Sequence, residues 1–398
     1  MLWILAGVAV ALLSYEIPTL VTSVLMPLLG NPNALQTDFH YYYEAAQRFS
    51  ADSHQLYRLS DDVIAGFAYP PPAIVPFVWL SRLPLGVAFL LTTIASYAAV
   101  IIAVELWWSY LRRHAITVDR GTRLAVLLVV LALGPTYMNA VFGQVNTLVL
   151  ASAVGFVAAA DARPLLAGSV VAVGAWLKIY PALLLWVWAW DRGAWRAIGW
   201  TAGAVLIIGV LSLPMVPVDA FRTFVFDVLP ARGDKTAIHI ANQSLAAFLE
   251  RFRHEPSMFL DWTGQQAVTV GSGVRAINFA FLGIAMIALA VIGRRHKGVP
   301  HVTAALMALI AIVAPLGWGH TYVMALPLVV MALLALKDAE TITAIVIAGC
   351  LAALMIPAGR HLPIDWAPEF AQNLVYSRYL LAAVVLTLLV LDSRTRRA

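Results

Sequence analysis

The stretch LLAGSVVAVGAWLKIYPALLLWVWAW (165–190) decides how the chain must be read. Its length and apolar character suit a helix crossing a bilayer, which needs about 20 consecutive apolar residues. Lys178 and Pro181 stand in its middle, however. A lysine so far into the run is too deep to snorkel from a straight span, and a proline removes a backbone donor and disrupts the preceding turn. The run therefore reads as a broken or re-entrant helix, a form tolerated at membrane depth only where protein lines a cavity.

Working outward, AYPPPAIVPFVWLSRLP (68–84) is a second run too short and too rich in proline for a plain span. Around these two lie uncharged apolar runs of spanning length, the first being MLWILAGVAVALLSYEIPTLVTSVLMPLLG (1–30), which reads as a retained span. Of the 398 residues, 62% are apolar and 12% charged. That balance is the mark of a polytopic membrane protein, and no alternating barrel pattern is present. The expected fold class is an all-α polytopic membrane protein with about 10–12 transmembrane helices, read as a single membrane domain over 1–398. Short broken helices and outer-face interfacial helices complete it.

The net charge of +5 falls in short hydrophilic loops, 111–123, 191–196 and 293–298, and at the C-terminus. By the positive-inside rule these face the cytoplasm, and no nucleic-acid-binding stripe is formed. Three hydrophilic segments, about 31–68, 217–273 and 357–376, then fall on the outer side. Cys350, the single cysteine, lies in an apolar run, so no disulfide framework or thiolate metal site is implied.

Polar groups beside or within apolar runs are the candidates for function. TDFHYYYEAA (37–46) offers Asp38, His40, Tyr42 and Glu44 at the start of an amphipathic stretch. FAYPPP adds Tyr69. MNAVFGQVNTLVL (138–150) carries Asn139, Gln144 and Asn146 around a tight turn at Gly143. HIANQSLAAFLE (239–250) brings Asn242 and Gln243, with Ser244 opening an amphipathic stretch. PLGWGHTY (315–322) sets Trp318, His320 and Tyr322 in a glycine-rich break.

Each group taken alone suits a helix cap or an interfacial anchor, but the charge pattern assigns all of them to the outer face. A carboxylate, a deep lysine, an imidazole and several amides around a membrane cavity fit glycosyl transfer from a lipid-linked phosphosugar. Asp38 would take the proton of an acceptor hydroxyl, on the face of the sugar opposite the leaving phosphate as in inverting chemistry. Lys178 and His320 would serve that phosphate. A divalent metal needs converging carboxylates, and only Glu44, Asp52, Asp61 and Asp62 lie near Asp38 in sequence. Asp61 and Asp62 read as a helix cap, so neither a metal nor a cofactor is expected.

The order DF followed by tyrosines, LYRLSDDVIAGFAYPPP, GQVN, KIYP, ANQSL and PLGWGHTY resembles glycosyltransferase family 87, from about residue 36 to about 327. That family includes polyprenyl-phosphate-mannose-dependent α-1,2-mannosyltransferases of phosphatidylinositol mannosides. The resemblance implies the GT-C fold, a polyprenyl phosphate sugar donor, most often of mannose, and an inverting mechanism. It also implies an active site on the outer face of a bacterial cell membrane. The family's first-loop catalytic aspartate falls on Asp38, and its tryptophan-linked histidine on His320, near the donor phosphate. Thr321 stands where family members often carry a second histidine. The interfacial aromatic residues suggest a lipid-linked glycan acceptor. A transporter or flippase of a lipid or small solute is the rival reading, since broken helices and a deep lysine would serve it too.

Overall fold

The computed structural model describes residues 1–29, 38–57, 66–260, 267–295 and 299–395. Asp61 and Asp62 lie outside the described residues. The chain is almost wholly helical, as an all-α polytopic membrane protein should be. Its first helices are α1 (Leu2–Leu28), α2 (Asp38–Ala51), α3 (Ile74–Leu80) and α4 (Leu85–Arg113). Then come α5 (Arg120–Leu131), α6 (Gly134–Phe142), α7 (Asn146–Ala159), α8 (Pro164–Leu177) and α9 (Trp195–Ser212). The middle of the chain holds α10 (Val218–Thr223), α11 (Leu229–Gly233), the strand β1 (Lys235–Ala237), α12 (Leu245–Arg251) and the strand β2 (Ala267–Thr269). The last are α13 (Ser272–Arg295), α14 (Val299–Val313), α15 (Leu326–Ala335), α16 (Thr341–Met355), α17 (Glu369–Tyr376) and α18 (Arg378–Thr395). β1 and β2 pair antiparallel, with Lys235 opposite Thr269.

Among the described residues, four helices are long and apolar enough to cross a membrane alone: α1, α4, the segment ending with α9, and α13. Two bent pairs, α5 with α6 and α17 with α18, qualify jointly, and six further apolar helices are shorter. Many of the apolar runs are thus interrupted. The run at 165–190 breaks where its sequence says it must: α8 stops at Leu177, Lys178 is extended (φ −152°, ψ 134°), and Tyr180–Ala189 continues as a 3₁₀ helix. Run 68–84 likewise divides into a 3₁₀ turn, Pro71–Ala73, followed by α3.

Helix α14 is buried along nearly its whole length and forms the centre of the bundle, packed by α13, α15 and α18. The spans α9 and α13 are only 17% and 11% buried over their most apolar stretches, against 50% for α4. Their bare apolar sides are suited to lipid, where apolar exposure carries no penalty.

Helix α4 measures the distance between the two ends of the molecule, about 43 Å for 29 residues at 1.5 Å each. Near its start, the Phe89 ring packs 5.6 Å from that of Phe39 on α2. Its last turn carries Arg112 and Arg113, well placed against the helix dipole, and Arg113 Nη2 donates to Val157 O at 3.0 Å. A Cβ at Gly193 would meet Asp161, one at Gly121 would touch Trp3, and Arg294 Nε donates to Ala189 O at 2.5 Å. The three basic loops and the N-terminal end of α1 thus collect at one end. The described parts of the three hydrophilic segments collect at the other. Tyr57 stacks on Phe224 across 6.1 Å, and Ile238, Ile240 and Phe259 share an apolar cluster with Tyr376, Leu362 and Ile364.

Candidate active site

A cavity of about 500 Å³ opens at the end of the molecule away from the basic loops. Its polar lining includes Asp38, Tyr42, Tyr69, Gln144, Lys178 and His320, with Trp318 among them, and Ile310, Val313 and Leu183 form part of an apolar wall. The elements that present these residues are short, and each ends where the sequence forces a break.

Helix α2 buries Phe39, Tyr42, Ala45, Ala46 and Phe49, a 3–4 spacing that sets one face of the helix against the protein. Asp38 stands in its first turn, where a negative charge is favoured by the helix dipole. The opposing turn approaches closely because Gly143 caps α6 in the left-handed conformation (φ 61°, ψ 35°). A Cβ on Gly143 would lie 2.6 Å from Phe39 Cβ, so no larger residue fits. This approach brings Gln144 Nε2 to 2.5 Å from Asp38 Oδ2.

Gln144 joins the acid to the cation. Its Oε1 accepts from Tyr42 Oη at 2.8 Å and from Lys178 Nζ at 3.2 Å. Tyr69 Oη lies 2.5 Å from Tyr42 Oη, and the Lys178 ammonium sits 5.0 Å from the centroid of the Tyr69 ring. Lys178 is reachable because the chain unwinds there, which frees the side chain from a helix packed into apolar neighbours.

His320 belongs to the 3₁₀ segment Gly319–Ala325, between α14 and α15. Asn139 Nδ2 holds its backbone oxygen at 2.6 Å, and a Cβ at Gly319 would strike Ala358 and Met138. The ring lies 2.8 Å from Asn146 Nδ2 through Nδ1 and 3.5 Å from Asp38 Oδ2 through Nε2. The histidine side chain is 5% exposed and that of Asp38 36%. His320 lines the same cavity as Lys178, and its Nε2 faces the Asp38 carboxylate.

Gln144 Nε2 donates to Oδ2 and His320 Nε2 approaches the same oxygen at 3.5 Å, and among the described residues no hydrogen bond reaches Oδ1. Burial pushes the Asp38 carboxyl up, but His320, the Gln144 amide and the Lys178 ammonium outweigh it and hold the group below its ordinary 3.8. The carboxylate is therefore ionised at neutral pH and able to accept a proton.

Other sequence candidates fall outside the cavity. His40 and Glu44 face away from it and pair with each other at 3.0 Å on a half-exposed face of α2. Asn146 sits behind His320. Asn242 is fully buried, its amide donating to Thr236 and Ala237 and its oxygen accepting from Ser244 N. Gln243 donates to Ile240 O and Tyr376 O and accepts from Tyr379 N. Tyr322 donates to Gln243 O at 2.6 Å. These three fasten the walls together, and all their polar groups face the scaffold.

The cavity also holds residues that the sequence reading missed, among them Tyr41, Tyr180, His239 and Arg232. Phe224, Val228 and Arg232 all line it at a spacing of four, one face of the helical segment 218–233, and that periodicity was the available signal. Tyr180 follows Lys178 within KIYP. Among the described residues no group of three or more His, Cys, Asp or Glu gathers where it could hold a metal ion.

The family model of glycosyltransferase family 87 matches residues 67–295, more than half of the chain. The match takes in Tyr69, Gln144, Asn146, Lys178 and Arg232, while Asp38 and His320 lie to either side of it. No curated protein matches the chain.

Proposed function

The chain belongs to glycosyltransferase family 87, and on that premise we propose that it moves a hexose, in the first instance mannose, from a polyprenyl phosphate to a hydroxyl of a lipid-linked glycan. The observation that carries this reading is the joining of an ionised carboxylate and a cation within one cavity: Asp38 and Lys178 share the two ends of the Gln144 amide. Family membership speaks for a transferase over a transporter. The donor sugar, its lipid carrier and the acceptor are this proposal's own.

In the proposed step, the acceptor oxygen attacks the anomeric carbon as the bond from that carbon to the phosphate oxygen breaks. The polyprenyl phosphate leaves with the electron pair, and the acceptor proton passes to Asp38. A single displacement of this kind inverts the anomeric centre. Asp38 Oδ1, which no donor among the described residues reaches, is the atom to take the proton. The phosphate gains negative charge as it leaves, and Lys178 and Arg232 line the same cavity to stabilise it. The apolar wall of Phe224, Val228, Ile310 and Val313 suits the first units of a prenyl chain. GT-C architecture is part of the same proposal, as is the bacterial inner membrane as its setting. The cavity lies at the end opposite the basic loops, which by the positive-inside rule supports an extracytoplasmic site.

The test is incubation of the purified protein with radiolabelled polyprenyl phosphate mannose and a lipid extract of the cell that makes it. A labelled lipid formed by the wild type and absent with Asp38→Asn supports the proposal. Equal product from both would remove Asp38 from the chemistry. No product from either, with mannose and other hexose donors tried, would overturn the donor assignment.

A further inference from the structure

Asn146, a substrate-binding candidate from sequence, turns its side chain away from the cavity and into His320. Its Oδ1 accepts a hydrogen bond from the Tyr180 hydroxyl, and its Nδ2 lies 2.8 Å from His320 Nδ1. A carboxamide has one accepting end and one donating end. With the accepting end held by Tyr180, the donating end faces the ring, and Nδ1 must be the acceptor. The proton of the neutral imidazole then resides on Nε2, 3.5 Å from Asp38 Oδ2. Asn146 is 0% and His320 4% exposed, so water does not compete for these groups.

We propose that Tyr180 and Asn146 are positioning residues, which fix His320 as its Nε2–H tautomer and so aim a donor at the Asp38 carboxylate. The opposite tautomer would set a nitrogen lone pair against the carboxylate. With the fixed tautomer, Gln144 and His320 together occupy Oδ2, which directs proton uptake to Oδ1. The 3.5 Å separation is of the kind that tightens when substrate fills the site. This inference rests on the reading of Asp38 as the base. It adds a chain of four side chains, Tyr180, Asn146, His320 and Asp38, in which only the last touches the reacting atoms.

The experiment pairs spectroscopy with kinetics. The protein is labelled with ¹⁵N-histidine, and the His320 signals are assigned by their loss in His320→Gln. Wild type should give one neutral tautomer, protonated at Nε2 and bare at Nδ1, and Asn146→Leu and Tyr180→Phe should each give a mixture. Tyr180→Phe keeps the ring that lines the cavity, and should lower kcat about three- to ten-fold while both KM values change by less than about two-fold. A proton on Nδ1 in the wild type would overturn the proposal, as would a tautomer unchanged in both variants. So would a loss confined to KM, which would make Tyr180 a substrate contact. If the wild type transfers no sugar at all, the donor assignment fails, and the tautomer spectra still decide whether the lock exists.

Discussion

Arg251 and Lys178 are both basic residues at the cavity end of the molecule. Arg251 is 1% exposed and donates to the backbone oxygens of Ile238, His239 and Asn242, to Asn373 Oδ1 and to Ser377 Oγ. Each nitrogen of its guanidinium meets a neutral oxygen of the scaffold. Lys178 lines the cavity and, among the described residues, makes a single hydrogen bond, to Gln144. A buried cation whose every nitrogen is bonded to the scaffold fastens chain segments together. One that faces an open cavity with donors to spare is placed for an anion.

The strongest way to break this contrast lies beside Lys178, at the acid. Asp38→Asn should reduce transfer by about 10²- to 10⁴-fold, the range of a general base, with little change in the melting temperature. Retained activity would dissolve the distinction between cavity and clasp. Lys178→Met should raise the donor KM by about 10- to 100-fold, the worth of a charge-assisted hydrogen bond, as read in a donor titration. A matching loss in the acceptor KM alone would reassign the lysine.

Arg251→Met tests the other member of the pair. It leaves several buried carbonyls without donors and should cost on the order of 3 kcal/mol or more of stability, measured by thermal unfolding in detergent. The surviving folded fraction should keep its kcat, and a large loss of kcat at unchanged stability would move Arg251 into the chemistry. A smaller effect is expected from Gln144→Leu. Asp38 is held below 3.8 in the wild type, so its carboxylate is ionised above that range and is lost only as pH falls through the lowered value. Removing the Gln144 donor leaves burial less opposed, and the acid limb of kcat/KM should move to higher pH. The smallest effect belongs to Tyr322→Phe, which removes one hydrogen bond to Gln243 O. It should cost about 1 kcal/mol of stability and leave kcat unchanged.

This contrast was not legible in the sequence. GQVN and ANQSL each offer an amide beside an apolar run, and nothing local distinguishes Gln144, which grips Asp38, from Gln243, which grips the backbone at Ile240 and Tyr376. His40 and Glu44, two and six residues along the same stretch as Asp38, read as further substrate-binding candidates. The helical face of α2 decides between them, since Tyr42 turns inward and Glu44 out. Arg232 escapes a reading of 217–273 as loop, and its helical spacing from Phe224 and Val228 is what draws it to the cavity.

The sequence by itself determined that this is an all-α membrane protein, where two of its runs break, and which segments gather opposite the basic loops. Those properties follow from the transfer cost of each residue and from run length, and both are local quantities. Only the tertiary structure decided that Asp38 meets Gln144 from 106 residues away and that Asn146 meets His320 across 174. A hydrogen bond depends on distance and direction within a few tenths of an ångström. Those are set by how the helices pack, through contacts such as Gly143 against Phe39, and neighbours in the chain do not carry that information.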